Sequence, residues 1–234
     1  MIWVSHNELI TVTSKAFDGL RLPCGEAEQI AHMVADLEMV GLHGIEHFLN
    51  AVEYLTKANT QACQLTMQTE SILEVDLHGD SILCQLPTIL TYVAEKLLTQ
   101  NHLTLKISQC HNRWLAFGEL CQLAKQGISI KAYWYNINSP TYIKYILNSG
   151  NKLPELYISP IDELALVSSR SLTIEFNNSV FKLPESGEYL QHISSAVLEQ
   201  QQVSSWQRGI PVQEASWQQL QQISKAILVQ DSSQ

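Results

Sequence analysis

The chain is poor in charge. Only 16% of its 234 residues are Asp, Glu, Lys or Arg, against about 25% in an average globular protein. Positive charge is the scarcer kind: 14 Lys and Arg face 23 Asp and Glu, a formal net charge of −9. With no basic run, the phosphate contacts on which nucleic-acid affinity rests are missing, so nucleic acid is excluded as a partner. Anionic membrane surfaces are disfavoured for the same reason. No stretch of 18 apolar residues occurs, so no membrane-spanning segment is expected. The opening Met1-Ile-Trp-Val-Ser-His-Asn-Glu8 lacks a basic and then apolar leader and does not read as a signal peptide. Cysteines are few, odd in number and widely spaced (Cys24, Cys63, Cys84, Cys110, Cys121), without a Cys-x-x-Cys pair. They read as reduced, mostly buried thiols of a cytoplasmic protein. Gly-rich phosphate loops (G-x-G-x-x-G, G-x-x-x-x-G-K-[ST]) and the G-x-S-x-G elbow are also lacking.

Apolar content is not lacking. At 45% hydrophobic residues the chain can bury a sizeable core, and disorder is excluded. Ser5-His-Asn-Glu8 is a capping box that predicts a helix over 6–17. A second helix follows Pro23, with Ala27, Ile30, Ala31, Val34 and Leu37 on one face and Gly41 as its left-handed cap. A third carries Ile45, Phe48, Leu49, Val52 and Leu55. Residues 71–77 alternate like a strand, and 86–100 carry an amphipathic helix. Leu103, Leu105 and Ile107, then Trp114, Phe117, Cys121 and Ala124, then Ile128, Ile130, Ala132 and Trp134 predict strand, helix, strand: a parallel βαβ crossover. Beyond Pro140 the pattern weakens. A hairpin is predicted from 164–167 to 172–176 across Ser168-Ser169-Arg170. Helices are predicted over 187–201 and 216–229, joined by a loop at 204–211. The expected fold is α/β, a single domain over 1–234. A helical cluster occupies 1–60, a mixed sheet core with at least one parallel βαβ unit 71–183, and C-terminal helices 187–230.

Two resemblances follow from particular residues. Ala35-Asp-Leu-Glu-Met-Val-Gly-Leu-His-Gly-Ile45 resembles the Ala-Asp-Leu-Arg-x-x-x-Ser-His-Gly-Val run of the type-2 malate/L-lactate dehydrogenase family. Cys110-His111, the following helix, Gly127 to Ile130 and Asn136 to Pro140 resemble that family's Asn-His-Phe-Gly unit and its later Thr-Asn-x-x-Pro strand end. That resemblance implies reduction of 2-oxo acids with NADH or NADPH, with His43 and His111 at the substrate site. The departures are Glu38 for Arg, Leu42 for Ser, and Asn112-Arg113 for Phe-Gly. The family's chains are longer, so part of a cofactor domain is expected to be missing. Ser5-x-Asn-Glu8, Lys15-Ala16, Gly25-Glu-Ala-Glu28, Gly41-Leu42, Gly209-Ile-Pro-Val212, Trp217 and Leu220 resemble the uncharacterised bacterial family catalogued as domain of unknown function 3726. This second likeness spans more of the chain and implies no activity.

The candidate site is the end of the predicted strand 103–107. His111 is the candidate acid or base, and Arg113 and Asn112 are the candidate ligands for a small carboxylate. His43 is the second candidate catalytic group. Cys110 beside His111 is disfavoured as a nucleophile, because neighbours on a strand end point apart. His43-Gly-Ile-Glu-His47 matches the H-x-x-E-H zinc pattern, but the dehydrogenase-like alignment accounts for His43-Gly44 without zinc, and no metal is expected. NAD or NADP binding is not expected either, since Glu38 would repel a phosphate or carboxylate. Two function classes stay open. One is a small-molecule protein or relic oxidoreductase taking a small organic acid. The other is a non-catalytic, self-associating structural or partner-binding protein. Whether the chain is an enzyme is left open.

Overall fold

A computed structural model describes residues 1–20, 27–57, 63–136, 140–160 and 170–225. In chain order the helices are α1 (His6–Gly19), α2 (Ala27–Met39), α3 (Gly44–Lys57), α4 (Leu86–Leu97), α5 (Phe117–Ala124), α6 (Ser195–Arg208) and α7 (Glu214–Ser224). The strands are β1 (Ile2–Val4), β2 (Gln64–Thr69), β3 (Ile72–Asp76), β4 (His102–Ser108), β5 (Ser129–Asn136), β6 (Thr141–Leu147), β7 (Glu155–Pro160), β8 (Leu172–Asn177), β9 (Gln191–Ile193) and β10 (Ile210–Val212).

Ser5 starts α1: its Oγ accepts the Glu8 N–H at 3.1 Å, which satisfies one of the orphan donors of the first turn. α2 is buried nearly all round, from Ile30 to Met39, and packs on α1, α3 and α5. It ends as expected at Gly41, with φ +78°. The Gly41 N–H donates to the Glu38 carbonyl and the Leu42 N–H to the Leu37 carbonyl. α3 then crosses α2 at backbone contact. A Cβ on Gly44 would sit 2.0 Å from the Val34 carbonyl oxygen, so no larger residue fits this crossing.

Eight strands form one mixed sheet in the order β2-β3-β4-β8-β5-β6-β7-β9. β3 and β4 pair in parallel and are joined through α4, which gives the expected βαβ unit a different location. The β4–α5–β5 segment was expected to pair its two strands. Both run antiparallel to β8, which lies between them. In β4, Leu103, Leu105 and Ile107 are buried while His102, Lys106 and Ser108 are exposed, so the strand turns alternate residues into the core. β1 pairs with β10 and ties the start of the chain to its C-terminal helices.

The later part of the chain departs further from expectation. β6 and β7 stand where no strand was expected. The helix placed over 187–201 begins at Ser195, after β9, and continues to Arg208. The loop placed over 204–211 is therefore mostly the end of α6 followed by β10. The first strand of the expected hairpin, 164–167, lies outside the described residues, and β8 pairs with β4 and β5. Among the described residues no helix is long and apolar enough to cross a membrane.

Candidate functional site

Beyond β4 the chain makes a tightly held corner at the C-terminal ends of the two parallel strands. The Cys110 N–H donates to the Arg170 carbonyl, the His111 N–H to the Asp80 carbonyl, and the Ile82 N–H to the His111 carbonyl. Gln109 (φ +48°) and Asn112 (φ +61°) both adopt the left-handed region, which costs a non-glycine residue about 1–2 kcal/mol. Strain of this kind persists only where the surroundings over-determine it. Arg113–Ala116 then form a 3-10 turn, and α5 starts only at Phe117. Trp114, the first residue of the expected helical stripe, thus lies in the 3-10 turn, and the Asn112 side chain caps nothing.

His111 is half-buried and its ring stacks on Tyr54 of α3, with centroids 3.8 Å apart and planes within 17°. Its pKa is lowered to about 4, first by burial and then by the positive charges of Arg170 and Arg113, with Glu53 opposing. It is therefore a neutral imidazole at pH 7, able to donate one hydrogen bond and accept one. Arg113 is 8% exposed. It donates from Nη1 to the Cys110 carbonyl at 2.7 Å and from Nη2 to the Tyr135 carbonyl at 2.8 Å. These bonds tie the corner to β5 and leave the guanidinium charge without a carboxylate among the described residues. The buried Arg113 Nε and Asn112 Oδ1 have no hydrogen-bond partner. Burial pushes the Cys110 thiol up to about 11, which removes it as a thiolate nucleophile.

His43 lies elsewhere. It precedes α3 with φ +55° and lines a small cavity of about 80 Å³ with Glu38, Glu46, Pro211 and Gln213. Tyr54, which carries the His111 stack, is about 16 Å further along α3 at 1.5 Å per residue. The structure therefore does not bring His43 and His111 together. Buried Glu38 accepts the Ile45 N–H at 2.8 Å, so it serves the start of α3. Its pKa is raised by burial, against the lowering effects of that bond and of His43.

The histidine that α3 turns toward the β4 corner is His47, whose ring lies 5.9 Å from Trp114. Burial, then His43, lowers its pKa to about 4. His47, Tyr54, Trp114 and Arg170 are the residues that sequence reasoning missed. The seven-residue spacing of His47 and Tyr54 puts both on one face of α3, and that was the available signal. Among the described residues no three His, Cys, Asp or Glu side chains converge as metal ligands would.

Residues 4–81 match the family described as "Protein of unknown function (DUF3726)". The later residues that carried this likeness, Gly209 to Leu220, fall outside the matched segment. No curated protein matches the sequence. Solved structures do match in fold. A putative malate/lactate dehydrogenase from E. coli superposes with a TM-score of 0.69 at 11% identity, covering 99% of this chain and 97% of that one. Malate dehydrogenase from Pyrococcus horikoshii gives 0.68 at 10% identity, covering 97% and 95%. A dehydrogenase from Sinorhizobium meliloti gives 0.67 at 12% identity, covering 95% and 99%. The chain thus has the fold of malate/lactate dehydrogenase-type proteins. The likeness runs over nearly the full length of both partners.

Proposed function

We propose that the chain binds a small organic anion, of the 2-oxo or 2-hydroxy acid class, at the corner after β4, on a scaffold shared with oxidoreductases. One observation carries this reading. Arg113 and Arg170 both act on neutral His111, and neither has an ion-pair partner among the described residues. In a chain of net charge −9, two such arginines make a local positive field where an anion is attracted. The ligand's carboxylate would face Arg170, with the buried guanidinium of Arg113 adding its positive charge from behind. His111 would give or take the hydrogen bond of the neighbouring oxo or hydroxyl group. Tight binding of NAD or NADP is not part of the reading, because the Gly-rich phosphate turn is absent from the sequence.

Calorimetric titration of the full chain with malonate, pyruvate and L-malate tests it. At least one should bind saturably, and Arg170→Gln should weaken that binding by about tenfold or more. A flat titration with all three anions overturns the reading. NADH in the same experiment should give no micromolar isotherm.

A second reading, self-association, is favoured by Trp206 and Trp3, which are 62% and 57% exposed. Trp206 packs against His6 with ring centroids 4.8 Å apart and planes tilted by 35°. Sedimentation should then show a species larger than a monomer that Trp206→Ser dissociates, and a monomer at all concentrations would count against it.

A further inference from the structure

A cavity of about 270 Å³ opens between α2, α5, α6 and the β6–β7 turn. It shares no lining residue with the His111 group. Its distinctive wall is the carboxylate of Asp36, held directly against α5. A Cβ on Gly118 would sit 2.4 Å from Asp36 Oδ2, so only glycine at 118 leaves room for this carboxylate. Asp36 is affected by His32, His6 and Lys125 as charges, without a hydrogen bond from any of them. A half-buried carboxylate normally collects donors. This one looks into a cavity instead.

The remaining polar lining is of the opposite kind. Lys125 follows the last turn of α5, about 10 Å along the helix axis from Gly118, and its Nζ donates to Gln122 Oε1 at 2.6 Å. Lys152 stands on the β6–β7 turn, where its Nζ lies 3.6 Å from Glu199 across an exposed pair. The carboxamides of Asn151 and Gln202 complete the rim. The cavity therefore carries an acceptor charge without a hydrogen bond on α2, and ammonium and amide donors on the end of α5, the β6–β7 turn and α6. The volume is below the ~300 Å³ at which drug-sized ligand sites begin, which suits a small metabolite.

We propose that this cavity is a second ligand site, for a small zwitterion of the α-amino acid class, with its ammonium on Asp36 and its carboxylate toward Lys125 and Lys152. A simple anion would meet Asp36, and a simple cation would meet the lysines. A molecule carrying both charges satisfies both.

The test uses the full chain and three probes, glycine, L-serine and L-glutamine, with propylamine and propionate as half-ligands. Calorimetry should show saturable binding of at least one amino acid, tighter than either half-ligand. Asp36→Asn and Lys125→Met should each weaken it by about tenfold or more, while Arg170→Gln leaves it unchanged. If Asp36→Asn fails to fold, Lys125→Met decides alone, because that side chain is exposed. No binding of any of the three amino acids at about 10 mM, well above the millimolar affinity of a weak site, overturns the proposal. So does equal affinity in wild type and variants, or a half-ligand that binds as tightly as the amino acid.

Discussion

Two histidines held neutral beside α3 make the stability of this protein depend on pH in a definite direction. His47 has a pKa of about 4 in the folded chain against an ordinary value of 6.5. Between these values the unfolded chain binds the proton and the folded chain does not, so stability rises with pH through that window. The contribution is complete above about pH 6.5 and is lost as pH falls toward 4. The carboxyls of Asp36, Glu38 and Glu119 are raised by burial and act with the opposite sign. Their share is present below the ordinary carboxyl range and lost as pH rises through their folded values. Comparing wild type with His47→Phe cancels these background groups. The difference in unfolding free energy, wild type minus variant, should fall by on the order of 2 kcal/mol from pH 7 to pH 4. Chemical denaturation at several pH values measures it, and a difference that stays constant would mean that His47 is not held neutral.

At the scale of elements, the α2–α3 crossing shows how a single atom sets an arrangement. The position of Gly44 against the Val34 carbonyl leaves no rotamer by which a methyl could escape, since backbone faces backbone. Gly44→Ala should therefore destabilise the protein by about 1–3 kcal/mol, as overpacking does, although alanine is the better helix former. A variant with unchanged or raised melting temperature would contradict this geometry.

What the sequence made legible follows the same division between local and distant contacts. The cap at Ser5, the Gly41 turn and the stripes of α1 to α4 depend on neighbours within a few residues, and they formed as expected. The pairing of β4 with β8 depends on residues about seventy positions away, and no local spacing encodes it. In α6 the buried face carries Leu198 and Ser205. The Ser205 hydroxyl is satisfied by the Met39 carbonyl at 2.9 Å, so a polar residue occupies a core position and hides the stripe. Leu190, inside the range predicted for that helix, is 75% exposed. At the candidate site, the strand end and His111 were readable from alternation. Tyr54 and Arg170 were not, because they arrive from α3 and from the turn two residues before β8.

At the scale of the whole molecule, the anion binding proposed for the β4 corner would have to work against a net charge of −9. The two arginines differ in how salt affects them. Arg170 is exposed, while Arg113 is 8% exposed. The Debye length is about 8 Å at physiological ionic strength and about 3 Å at 1 M, so added salt screens the exposed charge strongly and the buried one little. Salt also screens the long-range repulsion from the rest of the surface, which favours the anion. With Arg170 present, screening of its attraction at close range should dominate, and affinity for whichever of the three anions binds should fall as sodium chloride rises from about 0.05 to 0.5 M. In Arg170→Gln the buried Arg113 remains and the surface repulsion is relieved, so the weaker affinity of that variant should stay level or rise over the same range. Calorimetry of both proteins across the salt series measures the two slopes. Parallel slopes would show that Arg170 does not face the anion, and would move the attraction wholly onto Arg113.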